Sequence, residues 1–140
     1  MKDLLFSSAS EIAASVSTGR FTAGKVVESF LAYIAQRNPT LNAFTAVLSE
    51  RAIAKAADID AQLAQGKSPG PLAGVPFAVK NLFDIRALTT LAGSAINTAN
   101  TPAREDALLI RRLEEQGAIL LGALGMGEYA YDFTGENAHY

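Results

Sequence analysis

The sequence contains no cysteine and only one histidine, His139. The absence of cysteine excludes disulfide bonds, zinc–thiolate sites, iron–sulfur clusters and thiol nucleophiles within these residues. A single histidine excludes a histidine-rich metal centre, and a Ser-His-Asp triad could form only if His139 itself served. We therefore expect no metal ion and no cofactor, and any chemistry must be carried by other side chains.

An excess of charge of one sign is also missing, because the formal net charge is -2. The only adjacent basic pair, Arg111 and Arg112, is followed by Glu114 and Glu115, which indicates a solvated helix face with ion pairs at helical spacing. Without a basic stripe we expect no nucleic-acid partner. No apolar run approaches the roughly 20 residues that span a bilayer, and the N-terminus lacks the hydrophobic region of a signal peptide. We expect no membrane contact and a cytoplasmic location.

The composition that is present fits a folded chain, with 49% hydrophobic and 19% charged residues. A chain of this length is typical of one domain, here residues 1–140. Capping residues and apolar spacing predict that residues 1–70 are a mainly helical lead-in. The predicted elements are a helix capped by Ser8 with Glu11 and ended by Gly19, a helix from Thr22 to Asn38 and Pro39, a strand over 43–48, a helix capped by Ser49 and running to about Gln65, and a loop over 66–71.

Residues 71–140 have a different pattern, which predicts the start of an α/β core. Two short apolar runs over 75–80 and 118–122 indicate buried strands. Between them lie a long irregular stretch over 81–102, which is often functional in a compact chain, and a helix over 106–116 that Gly117 ends. Strands separated by helices predict an α/β fold with a mixed sheet.

Lys80 stands out as a candidate for catalysis, because it closes the apolar run over 75–80 and precedes a glycine-rich stretch. Burial of an ammonium group disfavours its charged form, which is how a lysine becomes a base. The competing interpretation is a lysine whose amine reaches the surface at a strand end, and spacing alone favours it. Asp84 could pair with Lys80, although a solvated loop aspartate is the preferred interpretation.

Other candidate residues have weaker patterns. Ser94 lacks a G-x-S-x-G elbow, so a turn serine is favoured over a nucleophile, and His139 is expected to be a bystander. The spacing of Gly122, Gly125 and Gly127 lacks a phosphate-binding pattern and favours close backbone packing. The aromatic residues of the C-terminal stretch are most often core residues, and the alternative is an aromatic wall of a substrate pocket; they are Tyr129, Tyr131 and Phe133.

Several ordered segments resemble the amidase signature family over nearly the whole chain. Residues 70–81 (GPLAGVPFAVKN) resemble the segment around the catalytic lysine of that family, and four others resemble its flanking blocks. Gly125 stands where the family usually has asparagine, and Gly135 interrupts its Thr-Glu-Asn block. The flanking segments are 42–45 (NAFT), 89–94 (TTLAGS), 106–122 (DALLIRRLEEQGAILLG), and 125–130 (GMGEYA) followed by 134–137 (TGEN).

The resemblance implies a Ser-Ser-Lys triad in which Lys80 takes a proton through a bridging serine from a nucleophilic serine. Both serines are expected in a block beyond Tyr140, so the chain alone is expected to be inactive. The implied fold is N-terminal helices plus the first strands of the amidase-signature mixed sheet, incomplete in this chain. Tyr131 is the candidate for contact with a small-molecule amide substrate.

Within the family, the chain is most similar to small-amide hydrolases of the 1-carboxybiuret hydrolase group. The A-type subunit of tRNA-dependent amidotransferases, which acts on glutamine, is the alternative. A homo-oligomer and a partner subunit both stay open, as does a non-catalytic remnant that binds a partner.

Overall fold

The computed structural model describes residues 2–139, arranged as helices around a three-stranded sheet. The α/β class is confirmed. The elements are α1 Lys2–Leu5, α2 Ala9–Ser17, α3 Ala23–Leu41, β1 Phe44–Val47, α4 Ser49–Ala64, β2 Pro76–Lys80, α5 Leu108–Glu115 and β3 Ile119–Leu124, with 3₁₀ turns at Ala95–Ala99 and Glu128–Ala130.

The predicted capping box at the start of α2 is confirmed. The backbone N–H of Ser8 donates to the carboxylate of Glu11 at 2.7 Å, and the N–H of Glu11 donates to the Ser8 hydroxyl at 3.3 Å. These bonds satisfy donors that a helix start otherwise leaves unpaired. The bond from the Ser8 N–H, together with a bond from the Ser8 hydroxyl to the same carboxylate, holds the pKa of Glu11 below its ordinary value.

The start of α3 is tied to α4 by a carboxylate, in addition to the predicted cap by Thr22. Asp60 accepts the backbone N–H groups of Ala23 and Gly24 at 2.7 and 3.0 Å. A carboxylate at a helix N-terminus is favoured by the unpaired N–H groups and by the helix dipole. This contact joins residues 36 and 37 positions apart and packs the two helices together.

The predicted end of α3 at Asn38 and Pro39 is wrong, because the helix continues to Leu41. Asn42 ends it instead, with a φ of 47° in the left-handed region and its N–H bonded to the carbonyl of Asn38 at 2.7 Å. Asparagine tolerates this conformation better than most residues. The Asn38 side chain then clasps both backbone groups of Phe44 at 2.8 and 3.1 Å, which aligns β1.

Two other helix predictions need correction. Ser49 is the first residue of α4 rather than its cap, and its predecessor makes no capping side-chain bond. The ion pairs expected among the charged side chains of 111–115 are replaced by contacts outside this segment. Glu114 pairs with Arg51 of α4 at 2.7 Å, and Arg111 lies 3.8 Å from Glu105. The tertiary fold brings α4 beside α5, so Arg51 competes with the local partners of Glu114.

The sheet has the strand order β1-β3-β2, with β1 antiparallel and β2 parallel to β3. The predicted mixed sheet is therefore confirmed, and β3 runs two residues beyond the predicted end at Gly122. The registers on both sides of β3 are interrupted by bulges. A side chain added at Gly122 would collide with the backbone of Ala46, so the close approach of β1 requires glycine there.

The central strand is buried on both faces, which explains its continuous apolar run. Ile119 and Leu121 pack with the helical lead-in, whereas Leu120 and Ala123 pack with the second half of the chain. The first core cluster is built mainly from α2, α3 and α4, and the second from Val79, Ile85 and Ile110. Among the described helices, none has the length and hydropathy needed to cross a bilayer.

Candidate functional site

The parallel pair β2 and β3 ends at one edge of the sheet, where Lys80 lies in register with Leu124. The chain leaves both strands at this edge, so the segments over 81–94 and 125–137 meet beside Lys80. In open α/β sheets, ligands bind in crevices beyond the carboxyl ends of the strands. This edge is therefore the candidate site.

The amine of Lys80 is open to solvent and makes no hydrogen bond or ion pair with any described residue. The burial considered for Lys80 is not provided by these residues, and the surface interpretation describes it correctly here. The reason is its place: Val79 packs in the second core, so Lys80, the next residue of the strand, points to the other face, where it is exposed.

Asp84 does not pair with Lys80. Its carboxylate accepts the hydroxyl of Thr90, and its backbone carbonyl accepts the N–H of Ala107. Asp84 thus finds its hydrogen-bond partners within its own part of the chain, and Lys80 has no carboxylate partner among residues 2–139. The sequence also favoured an Asp84 that does not pair with Lys80.

Asn81, directly after Lys80, is only 3% exposed and anchors three segments. Its backbone N–H donates to the carbonyl of Leu124 at 2.9 Å, and its side-chain oxygen accepts the N–H of Gly93 at 3.0 Å. Its carbonyl accepts the N–H of Ala92 at 3.0 Å, and its amide nitrogen lies 3.4 Å from the Thr45 hydroxyl. A buried asparagine whose groups are paired fixes its surroundings.

The glycine-rich loop closes tightly against the segment after β3. Gly93 has a φ of 70°, and an added side chain would lie 2.7 Å from the carbonyl oxygen of Met126. Ser94 is fully buried and donates to the carboxylate of Glu128. Its hydroxyl is thus a structural group in this loop, which agrees with the turn interpretation.

A second clamp on this loop comes from Asn137. Its amide nitrogen donates to the carbonyls of Gly93 and Met126 at 2.6 and 2.8 Å. Ala92 and Tyr129 adopt positive φ angles of 49° and 51°, and the N–H of Tyr129 donates to the carbonyl of Ala92 at 2.8 Å. Strained backbone held by many contacts is a frequent property of functional sites.

The packing interpretation of the three glycines is confirmed at Gly122, where an added side chain would collide with the backbone of Ala46. At Gly127 the atoms in the way belong to the exposed side chain of Asp132 and not to the backbone. The packing interpretation is wrong for Gly125, where the nearest atom would be 3.5 Å away, an ordinary contact.

The core interpretation of the C-terminal aromatic residues is wrong. Tyr129 is 56% exposed, and Tyr131 and Phe133 are 95% and 108% exposed. They lie on a turn and an irregular segment that no described element covers. A role of Tyr131 in substrate contact stays a prediction. His139 is also exposed, and its backbone N–H donates to the Asn137 side chain.

Residues 2–139 contain no group of three or more histidine or acidic side chains placed to hold a metal ion. What they assemble is an unpaired primary amine beside a rigid, hydrogen-bonded loop. Such an amine can accept or deliver a proton once a substrate and a nucleophile lie next to it.

Asn81 and Glu128 are not predicted as site residues from the sequence, although one of them carries a local signal. Asn81 is a polar residue directly after an apolar strand, which indicates a side chain that binds the backbone at the strand end. Glu128 lies 34 positions from Ser94, so no local pattern connects the two.

Residues 25–140 match the model of a protein family described as Amidase. The chain is 52% identical over 130 residues to AtzE of Pseudomonas sp. strain ADP, a 1-carboxybiuret hydrolase subunit, covering 93% of this chain and 28% of that protein. It is 39% identical over 138 residues to the A-type subunit of the glutamyl-tRNA(Gln) amidotransferase of Bdellovibrio bacteriovorus, covering 99% and 28%. The chain thus spans under a third of the length of these relatives.

Solved structures have the same fold. One is a vestigial protein complex that reveals the evolutionary origins of an s-triazine catabolic enzyme, with a TM-score of 0.94, 51% identity, and coverage of 96% of this chain and 29% of that one. Another is a bacterial aryl acylamidase of the amidase signature family, with a TM-score of 0.82, 31% identity, and coverage of 89% and 26%.

Proposed function

This chain belongs to the amidase family, and from that membership we propose that it is the N-terminal part of an enzyme that hydrolyses a carbon–nitrogen amide bond. The observation that carries the proposal is the place of Lys80, whose amine has no carboxylate partner among the described residues and stands at the carboxyl edge of a parallel strand pair. The family motif over 70–81 supports the same residue.

We assign to Lys80 the role of general base in a Ser-Ser-Lys triad. The neutral amine takes a proton from a bridging serine, which takes one from the nucleophilic serine as its oxygen attacks the amide carbonyl carbon. The lysine then returns its proton through the bridging serine to the leaving nitrogen, the carbon–nitrogen bond breaks, and water hydrolyses the acyl-enzyme. The two serines would come from the remainder of the parent protein, so we expect no turnover by the 140 residues alone.

The rest of the site supports a base that works without a counter-ion. A carboxylate close to an ammonium stabilises the charged form and spoils the base. Asp84, four positions after Lys80, is engaged by Thr90 instead. In the parent protein, further elements would cover the exposed edge, and burial there would favour the neutral amine.

For the substrate we propose a small linear amide. The relatives include subunits of a 1-carboxybiuret hydrolase and of amidotransferases. The higher identity to the former favours a small amide over glutamine. Because these relatives are named as subunits and one similar structure is a complex, we propose that the parent protein also works with a partner subunit.

The base role is tested by replacing Lys80 in the full-length parent protein. Lys80→Ala should lower kcat by at least about 100-fold, since a positioned base contributes that much or more. Lys80→Arg should fail nearly as badly, because a guanidinium stays protonated. Ammonia release from small aliphatic amides gives kcat, and circular dichroism checks folding.

Lys67 provides the matched control, because it lies in an exposed loop and its amine contacts only the nearby side chain of Gln65. Lys67→Ala and Lys67→Arg should keep the wild-type kcat. A folded Lys80→Arg protein that retains more than about a tenth of the wild-type kcat would rule out the base role, given the size of such effects.

A further inference from the structure

We propose that Asn81 is a positioning residue: it locks the end of β2 to the glycine-rich loop and so holds Lys80 at a fixed place relative to that loop. The inference rests on the proposed function of Lys80 and adds a residue that touches no substrate.

Asn81 binds its surroundings through both its backbone and its side chain. Its peptide N–H and carbonyl extend the sheet on one side and bind the loop on the other, through Leu124 and Ala92. Its side chain adds a bond from the N–H of Gly93 at 3.0 Å. The residue therefore connects β3 and the loop immediately next to the Cα of Lys80.

Gly93 depends on the Asn81 side chain for an acceptor of its N–H group. The N–H of Gly93 lies in a buried environment and donates to the Asn81 oxygen. Without an acceptor, this buried donor would lose its pairing, which is costly. The loop would then shift until water or another acceptor reaches the N–H group, and the distance between the loop and Lys80 would change.

Two other side-chain bonds of the loop lead away from Lys80. Ser94 binds Glu128, and the Gly93 carbonyl binds Asn137. Both partners belong to the segment after β3, so these two bonds hold the loop to that segment. The loop is joined to residue 81 by the backbone bond from Ala92 and by the bond from Gly93 to the Asn81 side chain, and replacing Asn81 removes the second.

A positioning role and a purely structural role predict different kinetics. A displacement of about 1 Å in a catalytic arrangement can cost about 100-fold in rate. A residue that only stabilises the fold would change the melting temperature and leave kcat of the folded protein unchanged. Measuring both the melting temperature and kcat of each variant therefore distinguishes the two roles.

The experiment compares Asn81→Leu, Asn81→Asp and Lys80→Ala in the full-length parent protein. Leucine has a similar size and no acceptor, whereas aspartate keeps an oxygen for the N–H of Gly93. Asn38→Leu is the matched control, since Asn38 also clasps backbone groups through its side chain, at Phe44. Should Asn81→Leu fail to fold, Asn81→Ala takes its place with the same expected result.

We expect Asn81→Leu to lower kcat about 10- to 100-fold with a smaller change in KM, and Asn81→Asp, which keeps an acceptor for the N–H of Gly93, to keep the slow hydrogen exchange of the wild type over 91–94. Hydrogen exchange in peptides over 91–94 should be faster in Asn81→Leu. Asn38→Leu should lower the melting temperature and keep kcat.

Two results would overturn the proposal separately. If Lys80→Ala is inactive but folded Asn81→Leu keeps the wild-type kcat, Asn81 has no positioning role and the proposed function stands. If Lys80→Ala keeps the wild-type kcat, the proposed function fails and the positioning role fails with it.

Discussion

Single residues in this chain are tied to partners far away in the sequence. Arg51 binds Asp106 through two hydrogen bonds at 2.8 Å, and Asp106 also accepts the N–H of Arg86 at 2.8 Å. Bidentate arginine–carboxylate pairs are among the stronger polar contacts. The contact with Arg51, followed by the Arg86 backbone bond, holds the pKa of Asp106 below its ordinary value, and Asp106 in turn raises the pKa of Arg51.

This ion pair predicts a loss of stability in acid. A carboxylate with a lowered pKa in the folded state stabilises the fold above its unfolded pKa, and this contribution is lost as pH falls through the folded pKa. We expect Asp106→Asn to cost about 1–2 kcal/mol at pH 7. The cost should shrink as pH falls below about 4, where the unfolded aspartate binds a proton, and should vanish only below the lowered pKa of the folded state. Thermal unfolding from pH 7 to about pH 2 measures the difference, and a difference that does not shrink with falling pH would contradict the account.

At the scale of elements, the junction between α3 and β1 depends on one residue. Asn42 ends α3 in the left-handed region and lets the chain turn back toward Phe44. This junction sets the entry of β1, which pairs with the central strand beside the site. The conformation of one loop residue thus decides where an edge strand begins.

The left-handed conformation of Asn42 predicts that glycine and alanine at this position affect stability differently. Asn42→Gly should be neutral or slightly stabilising, because glycine adopts positive φ freely. Asn42→Ala should be less stable than Asn42→Gly by about 1 kcal/mol, which is the typical cost of a Cβ in this region. Chemical denaturation of both variants in one background gives the comparison. Equal stability of the two would show that the left-handed turn is absent in solution.

At the scale of the whole molecule, the sheet formed within residues 2–139 has two unpaired edges, because β1 and β2 are its outer strands. Exposed strand edges are templates for pairing with another chain. The exposed side chains of Tyr131 and Phe133 add apolar surface to the molecule.

We expect the purified 140-residue chain to self-associate or to have a loosely packed core. The double variant Tyr131→Ser and Phe133→Ser should associate less at equal concentration, because it removes apolar surface and leaves the strands unchanged. Sedimentation velocity and near-UV circular dichroism measure the two properties. A monomer with a sharp cooperative thermal transition would contradict this expectation.

Local features could be predicted from the sequence because their causes lie within a few residues. The capping box of Ser8 and Glu11 spans three positions, and the apolar runs around Phe77 and Leu120 identify strands buried in a sheet. Helix ends were less well predicted, since Pro39 is tolerated in the last turn of α3. The family motif around Lys80 was also visible from the sequence.

Only the tertiary structure decided which of these residues meet, and in what environment. The bond between Ser94 and Glu128 joins positions 34 apart, and the pair of Arg51 and Asp106 joins positions 55 apart. Lys80 is exposed because it lies on the opposite face of β2 from Val79, and Asn81 is buried among its partners Leu124, Ala92 and Gly93. A sequence pattern encodes contacts within one turn or strand, whereas the partner of a side chain across the sheet depends on how β2 and β3 are aligned.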